Sequence, residues 1–327
     1  FQLRSGPRSR PPKDYLMPTP NAGPAALDWG LLALLGLIWG GAFLGVELAL
    51  DSLAPLWVAA GRISLAALLL VGVAYLTGAR LPGFRTATQR RIWLHCLGMG
   101  LATNAIPFSL LSWGQQLVTS SFAGITMAVV PLFVLPLSHF LVPGERLSPA
   151  RAAGFLIGFG GVVLLVGGDR VFAPAAASGA DSMMLLAQMA CVGASCGYAC
   201  GSIITRLCPP VSTLSFAAGG LLCGALAILP MAFFVHGIPQ AVTGISLGGV
   251  LFLALLPTGL ATILLTMVIR RAGPSFMSLV NYQVPVWAVL IGVSILGEPL
   301  PGHFVMALAT ILIGLAISQR LHRAARV

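Results

Sequence analysis

Two charged side chains lie inside long apolar runs of this sequence. Arg62 stands in the run 55–77, and Glu47 stands near the end of the run 28–50. Charged groups are costly in hydrocarbon, so they usually face protein or water and mark functional positions. Arg62 has the chemistry to bind an anion or a carboxylate, or to pair with an acid at a gate. The alternative is a structural arginine that bonds to backbone carbonyls or extends to the headgroups.

Three roles stay open for Glu47. It lies at a depth similar to that of Arg62 on the preceding apolar run, so the two side chains are able to form an ion pair. A carboxyl group in a low dielectric also holds a proton readily, which would make Glu47 a proton carrier. In the third role, the side chain simply reaches water at the outer end of its helix.

Amide side chains near prolines form a second set of candidates. Asn104 lies three residues before Pro107, and a second proline follows the group Asn281, Tyr282 and Gln283. A proline within a helix leaves a backbone carbonyl without its usual donor. Free carbonyls and amides at the membrane midplane suit a neutral or zwitterionic solute. The alternative is hydrogen bonding between helices.

Two aromatic residues, Trp39 and Tyr198, stand in the middle of apolar runs. Tryptophan in membrane proteins usually lies at the interface with water. Stacking on a solute and packing in the core therefore stay open for both residues. Pro131, Pro136 and Pro257 predict bends in their helices.

Two acidic residues, Glu145 and Glu298, follow glycines in short loops. Acidic side chains are favoured at the start of a helix, where the helix dipole is positive. We therefore expect each of them to interact with the start of the helix that follows it.

The composition excludes a soluble protein. Of 327 residues, 57% are apolar and only 8% are charged, and the net charge is +10. Soluble domains carry about 25% charged residues. The sequence therefore predicts an all-α polytopic membrane protein that lies in the lipid bilayer.

Ten apolar runs are long enough to cross a bilayer. They are 28–50, 55–77, 92–112, 119–141, 149–168, 182–206, 211–235, 246–270, 275–296 and 302–319. With the N-terminus inside, sixteen Lys and Arg residues fall in inner segments, whereas only Arg170 falls in an outer loop. Short cytoplasmic loops collect basic residues, so both termini are predicted to be cytoplasmic. We expect residues 1–27 to form a disordered cytoplasmic tail, and Met17 is a candidate start.

The chain repeats itself after about 154 residues. This shift places 120–133 on 274–287, with Ser, Phe and Pro in common. Two five-helix units follow, 28–168 and 182–319. Because five is odd, the second unit enters the membrane from the opposite side, which gives the inverted-topology repeats of many secondary transporters.

Several motifs together resemble the EamA-type branch of the drug/metabolite transporter superfamily. They are LIWGGAF at 37–43, AAGRISLAALLL at 59–70, VVPLF at 129–133 followed by GERLS at 144–148, and VPVWAVLIGVSILGEPL at 284–300. The resemblance covers residues 30–318 and includes the arginine at position 62. It implies exporters or exchangers of amino acids, other metabolites or drugs, with a central cavity between the repeats.

The leading functional prediction is a secondary transporter of a small-molecule solute in the bacterial inner membrane, working by alternating access. Proton coupling, uniport and exchange stay open, as does the oligomeric state. A lipid flippase or a small-solute channel is the alternative. We predict no catalytic residue, metal, cofactor or nucleic-acid partner, because no reactive set and no nucleotide-binding motif is present. A membrane enzyme is disfavoured for the same reason.

Overall fold

The computed structural model describes residues 24–143, 145, 147–172 and 179–324, and within these ranges it contains helices and turns but no strand. Most of the predicted tail, residues 1–23, lies outside the described part. We label the helical stretches of the described part in chain order: α1 (Ala26–Ala49), α2 (Pro55–Leu76), α3 (Ala87–Gly114), α4 (Ser120–Leu141), α5 (Pro149–Phe172), α6 (Gly179–Leu207), α7 (Thr213–His236), α8 (244–272), α9 (274–296) and α10 (Gly302–Ala324).

Eight of these stretches, α1 to α8, are long and apolar enough to cross a membrane. The remaining two contribute the shorter apolar helices Val280–Leu296 and Gly302–Ser318 within the described residues. In α9, a turn at residues 278–279 separates Pro274–Met277 from the longer helix. The all-helical membrane class is thus confirmed, and eight of the ten predicted crossings are long and apolar enough to span a bilayer.

Prolines accompany changes of helix type in three helices, whereas Pro136 lies inside a continuous α-helical segment. In α3, a π-helical segment at Gly100–Ala105 precedes Pro107, and in α8 a π-helical segment at Ala254–Leu260 contains Pro257. In α4, a 3-10 turn at Met127–Val129 precedes Pro131. A π segment shifts the backbone hydrogen bonds by one residue and often marks a functional site.

The buried apolar residues form two main clusters. The larger one joins α1, α4 and α9 with parts of α5, α6, α8 and α10, and the second joins α2 with α7 and part of α3. Tyr198 of α6 packs against both clusters. Its ring therefore lies where the two clusters meet.

Close contact between α5 and α10 depends on glycine. A Cβ atom added at Gly154 would lie 2.5 Å from the carbonyl oxygen of Gly314 and 2.8 Å from the backbone nitrogen of Ser318. Small residues at such positions let membrane helices approach closely. By contrast, a Cβ atom added at Gly160, on an exposed side of the same helix, would meet nothing within 4 Å.

We expect Gly154→Ala to lower the free energy of unfolding by about 1–3 kcal/mol, because the new methyl group pushes α10 away. Gly160→Ala is the matched control, and helix propensity predicts no loss of stability there. Thermal unfolding in one detergent measures both variants. Equal melting temperatures for the two would contradict this description of the contact.

Candidate functional site

Arg62 is buried inside the helix bundle. The residue is 7% exposed, and its Nε–H donates to Thr258 Oγ1 of α8 across 2.9 Å. The guanidinium carbon lies 3.6 Å from the centre of the Phe108 ring of α3, a cation–π contact. The side chain therefore bonds inside the protein, and the alternative of an arginine that extends to the headgroups is wrong.

Thr258 owes its position to the π segment of α8. Its hydroxyl group donates to the carbonyl oxygen of Leu253, five residues earlier, across 2.9 Å, and accepts from Arg62. Thr258 is not among the candidate residues that the sequence indicated. The repeat held the signal, since a shift of 154 residues places Thr258 on Asn104, a candidate already named.

No acid neutralises Arg62 within the described part of the chain. The ion pairs there join Arg206 to Glu145 and Arg271 to Asp28, each across 2.6 Å. Glu47 is exposed and belongs to neither, so the structure does not contain the predicted pair of Glu47 with Arg62. Among the described residues, no hydrogen bond reaches the two Nη groups of Arg62. A buried cation with free donors suits an anionic ligand.

The aromatic ring that contacts this cation packs against a second aromatic ring. The Tyr198 and Phe108 rings are 6.3 Å apart and tilted at 60°. Trp39 of α1 donates its Nε1–H to the carbonyl oxygen of Pro257 across 3.1 Å. Trp39 and Arg62 thus bind consecutive residues of the same π segment. The geometry brings together three predicted residues, Trp39, Arg62 and Tyr198, from three different helices.

Gln283 of α9 lies against α1, the helix that contains Trp39. A Cβ atom at Gly36, one turn before Trp39, would lie 2.6 Å from Gln283 Oε1. This oxygen is buried, and no described residue donates to it. A buried acceptor without a donor costs about 1–3 kcal/mol. Such an atom is suited to receive a hydrogen bond from a solute.

The remaining candidates have no described hydrogen bond to Arg62. Asn104 is 4% exposed, and its amide nitrogen lies 3.6 Å from Met99 Sδ, a weak acceptor. Asn281 and Tyr282 are partly buried, and their backbone N–H groups bond to carbonyls three residues earlier. In the described ranges, no group of three or more His, Cys, Asp and Glu side chains is placed to hold a metal ion.

The fold and the buried polar cluster define an integral membrane protein whose helices enclose a positive charge. A comparison with protein families identifies it further. The chain belongs to the EamA-like transporter family, whose model matches residues 28–167 and again 182–319. It is thus a membrane transporter, which confirms the resemblance, and the family indicates transport rather than enzymatic activity.

Similar proteins agree with this class. The uncharacterized inner membrane transporter YedA of Escherichia coli is 28% identical over 88% of this chain and 89% of its own length. The aromatic amino acid exporter YddG of Ancylobacter novellus is 30% identical over 71% of this chain and 77% of its own. A probable terminal-alkyne amino-acid exporter of Streptantibioticus cattleyicolor is 24% identical over 84% and 86%.

A solved crystal structure shares the fold, with a TM-score of 0.63 and 21% identity over 93% of this chain and 100% of that one. The chain is thus an integral protein of the bacterial inner membrane, and its relatives imply a small-molecule solute.

The contribution of the hydrogen bond between Arg62 and Thr258 to the free energy of unfolding can be measured. Thr258→Val keeps the shape of the side chain but leaves the Arg62 Nε–H without an acceptor. We expect a loss of about 1–3 kcal/mol in the free energy of unfolding. Thr258→Ser keeps the hydroxyl group and should lose much less.

A double-mutant cycle with Arg62→Met isolates the pair. In the Arg62→Met background, Thr258→Val should lower the free energy of unfolding only slightly, because no Arg62 donor is left unpaired. An equal cost in both backgrounds, measured by unfolding in detergent, would show that the loss comes from Thr258 alone.

Proposed function

We propose that this protein is a secondary transporter that moves a small carboxylate-bearing metabolite by alternating access. Ten crossings form two inverted five-helix repeats, 28–168 and 182–319, with both termini in the cytoplasm. The solute binds near the membrane midplane between the repeats. The observation that carries the proposal is the buried and only partly bonded guanidinium group of Arg62.

The packing of the helices supports the two repeats. A two-fold exchange that maps α1–α5 onto α6–α10 pairs α2 with α7 and α5 with α10, and both pairs are in contact. The same exchange relates the contact of α1 with α9 to that of α6 with α4. It also relates the contact of α3 with α6 to that of α8 with α1. All four of these helix contacts are present. The π segments of α3 and α8 start 154 residues apart, which equals the sequence shift. The family model also matches the chain twice.

The geometry of Arg62 supports the proposal that the solute carries a carboxylate. Arginine binds carboxylates through two parallel N–H···O bonds, and its planar group requires fixed orientation for this. The bond from Nε to Thr258 and the face of Phe108 hold the plane, while both Nη groups stay available. Since no acid of the described residues forms an ion pair with it, the charge needs a mobile partner. A solute anion supplies that partner during each transport cycle.

The surrounding aromatic residues narrow the class of solute. Tyr198, Phe108 and Trp39 offer flat apolar surface near the cation, and the unpaired oxygen of Gln283 accepts a hydrogen bond. Two relatives carry the name of amino-acid exporters, one of them for aromatic amino acids. Amino acids, with aromatic ones first, are therefore the solutes to test for export or exchange.

The coupling mode is part of the proposal. Exchange requires no charged group besides Arg62, and it accounts for a site whose cation needs an anion in every cycle. Proton coupling through Glu47 is the second mode, since this exposed carboxylate has no ion-pair partner among the described residues. An imposed pH gradient across the membrane separates the two modes.

Counterflow of labelled phenylalanine in liposomes tests this function. The unmodified protein should accumulate the label when unlabelled phenylalanine is trapped inside, which a channel does not do. Arg62→Ala should reduce the initial rate at least tenfold, because the carboxylate loses a charged pair of hydrogen bonds, worth about 1.5–3 kcal/mol each. Arg62→Lys should recover only part of the rate, since lysine lacks the planar fork.

Arg85→Ala is the matched control, since Arg85 is exposed in the loop between α2 and α3. This variant should transport like the unmodified protein. In detergent, phenylalanine should raise the melting temperature of the unmodified protein but not that of Arg62→Ala. A folded Arg62→Ala variant with unchanged counterflow would refute the proposed site, and absence of counterflow with every carboxylate solute would refute the proposed class.

A further inference from the structure

Glu298 binds the beginning of α4, although the two lie in different halves of the chain. Its carboxylate accepts from the backbone N–H of Ser120 at 2.7 Å, from that of Ser121 at 2.9 Å and from the Ser121 hydroxyl at 2.6 Å. Hydrogen bonds to a charged acceptor are stronger than neutral ones. Three of them on one side chain form a tight contact between the α9–α10 loop and α4.

This contact corrects the expectation that Glu298 interacts with the following helix. Gly297 has a φ angle of +65° in the left-handed region, which glycine adopts easily. The chain reverses there, and the backbone N–H of Glu298 donates to the carbonyl oxygen of Gly292 across 3.1 Å. The turn directs the side chain back along α9 and onto α4.

Gly292 leaves the space in which the carboxylate sits. A Cβ atom at this position would collide with both Glu298 Oε2 and Ser121 Oγ. Any larger residue would therefore displace the acceptor or the donor. The contact thus depends on one acid, one glycine and the start of one helix.

Gln115, just after α3, lies at the same end of the bundle and forms hydrogen bonds there. Its Nε2 group donates to the carbonyl oxygen of Phe43 across 3.0 Å and to Ser120 Oγ across 3.2 Å. Its Oε1 atom is buried, and no described residue donates to it. An unpaired buried acceptor raises the free energy of the closed arrangement. Opening this end would return the oxygen to water.

The opposite end of α4 is arranged differently. Glu145, 153 residues before Glu298 and likewise in a Gly-Glu pair, forms an ion pair with Arg206 across 2.6 Å. A cavity of about 200 Å³ lies beside this pair, lined by Leu135 and Ser138 of α4 among others. One end of α4 is thus closed by an acid from the other half, whereas a cavity opens at the other end.

We propose that Glu298 is the latch that closes one end of the solute pathway, and that it releases Ser120 and Ser121 each time this end opens. The latch rests on the alternating access proposed above. Glu145 is its counterpart at the opposite end, held by Arg206 while the Glu298 latch is shut. Gln115 keeps the closed arrangement from becoming too stable to open.

The accessibility of a buried probe at this end tests the latch. Val118, between Gln115 and Ser120, is 7% exposed, and Val118→Cys introduces a thiol of similar size. The labelling rate with a soluble maleimide is measured in nanodiscs, where both faces are open to the reagent. Protein without Val118→Cys gives the background from the six native cysteines.

Glu298→Gln should raise the labelling rate of the Val118→Cys protein about tenfold, because the amide replaces a charged acceptor of three hydrogen bonds. Gly292→Ala should raise it similarly without changing any charge, and it serves as the second variant if Glu298→Gln does not fold. Ser121→Ala removes one donor of three and should give a smaller rise.

Asp51→Asn is the matched control, since it makes the same chemical change at an exposed acid that accepts from Thr243 and does not contact α4, and it should leave the rate within twofold. Unchanged labelling in folded Glu298→Gln and Gly292→Ala would overturn the latch, as would an equal rise with Asp51→Asn. The assay needs no solute. A protein that responds as expected here but shows no counterflow would refute only the proposed transport function.

Discussion

The burial of one positive charge organises the centre of this protein. Removing a guanidinium group from water costs several kcal/mol unless its hydrogen bonds and its charge are matched. For Arg62 the match is partial, since Thr258 takes one N–H group and the face of Phe108 attracts the charge. The remaining donors have no described protein partner. In the proposed function, this residual demand for an anion makes Arg62 a binding group, and it gives a membrane transporter a reason to tolerate the cost of burying the charge.

The π segment of α8 makes the partial match possible. Within this segment the Thr258 hydroxyl donates to the carbonyl oxygen of Leu253, five residues back, and still accepts from Arg62. The carbonyl oxygen of Pro257 is free to accept from Trp39. Helices α1, α2 and α8 therefore meet at two consecutive residues. A regular helix would point these groups elsewhere, and a rearrangement of this segment would move the cation and the indole together.

Close helix contacts transmit such a rearrangement to the ends of the bundle. Gly36 and Gly292 leave room for the side chains of Gln283, Glu298 and Ser121 where α9 meets α1 and α4. Packed interfaces of this kind have discrete arrangements and do not deform smoothly. Glu298 bound to the start of α4 and Glu145 bound to Arg206 give the two ends different contacts. A solute that changes the packing at the centre therefore acts on contacts at both ends.

The sequence alone determined the membrane class, because 57% apolar and 8% charged residues leave no water-compatible surface. It also identified Arg62, Trp39 and Tyr198, since polar and aromatic groups in hydrocarbon are few and costly to misplace. The partners were decided by tertiary structure. Thr258 is 196 residues from Arg62, and Glu298 is 177 residues from Ser121. No local pattern encodes such distances, whereas helix packing, π segments and a left-handed Gly297 set them. A pair of Glu47 with Arg62, one of the three roles left open for Glu47, is absent from the described contacts, because similar depth on neighbouring helices does not fix which faces meet.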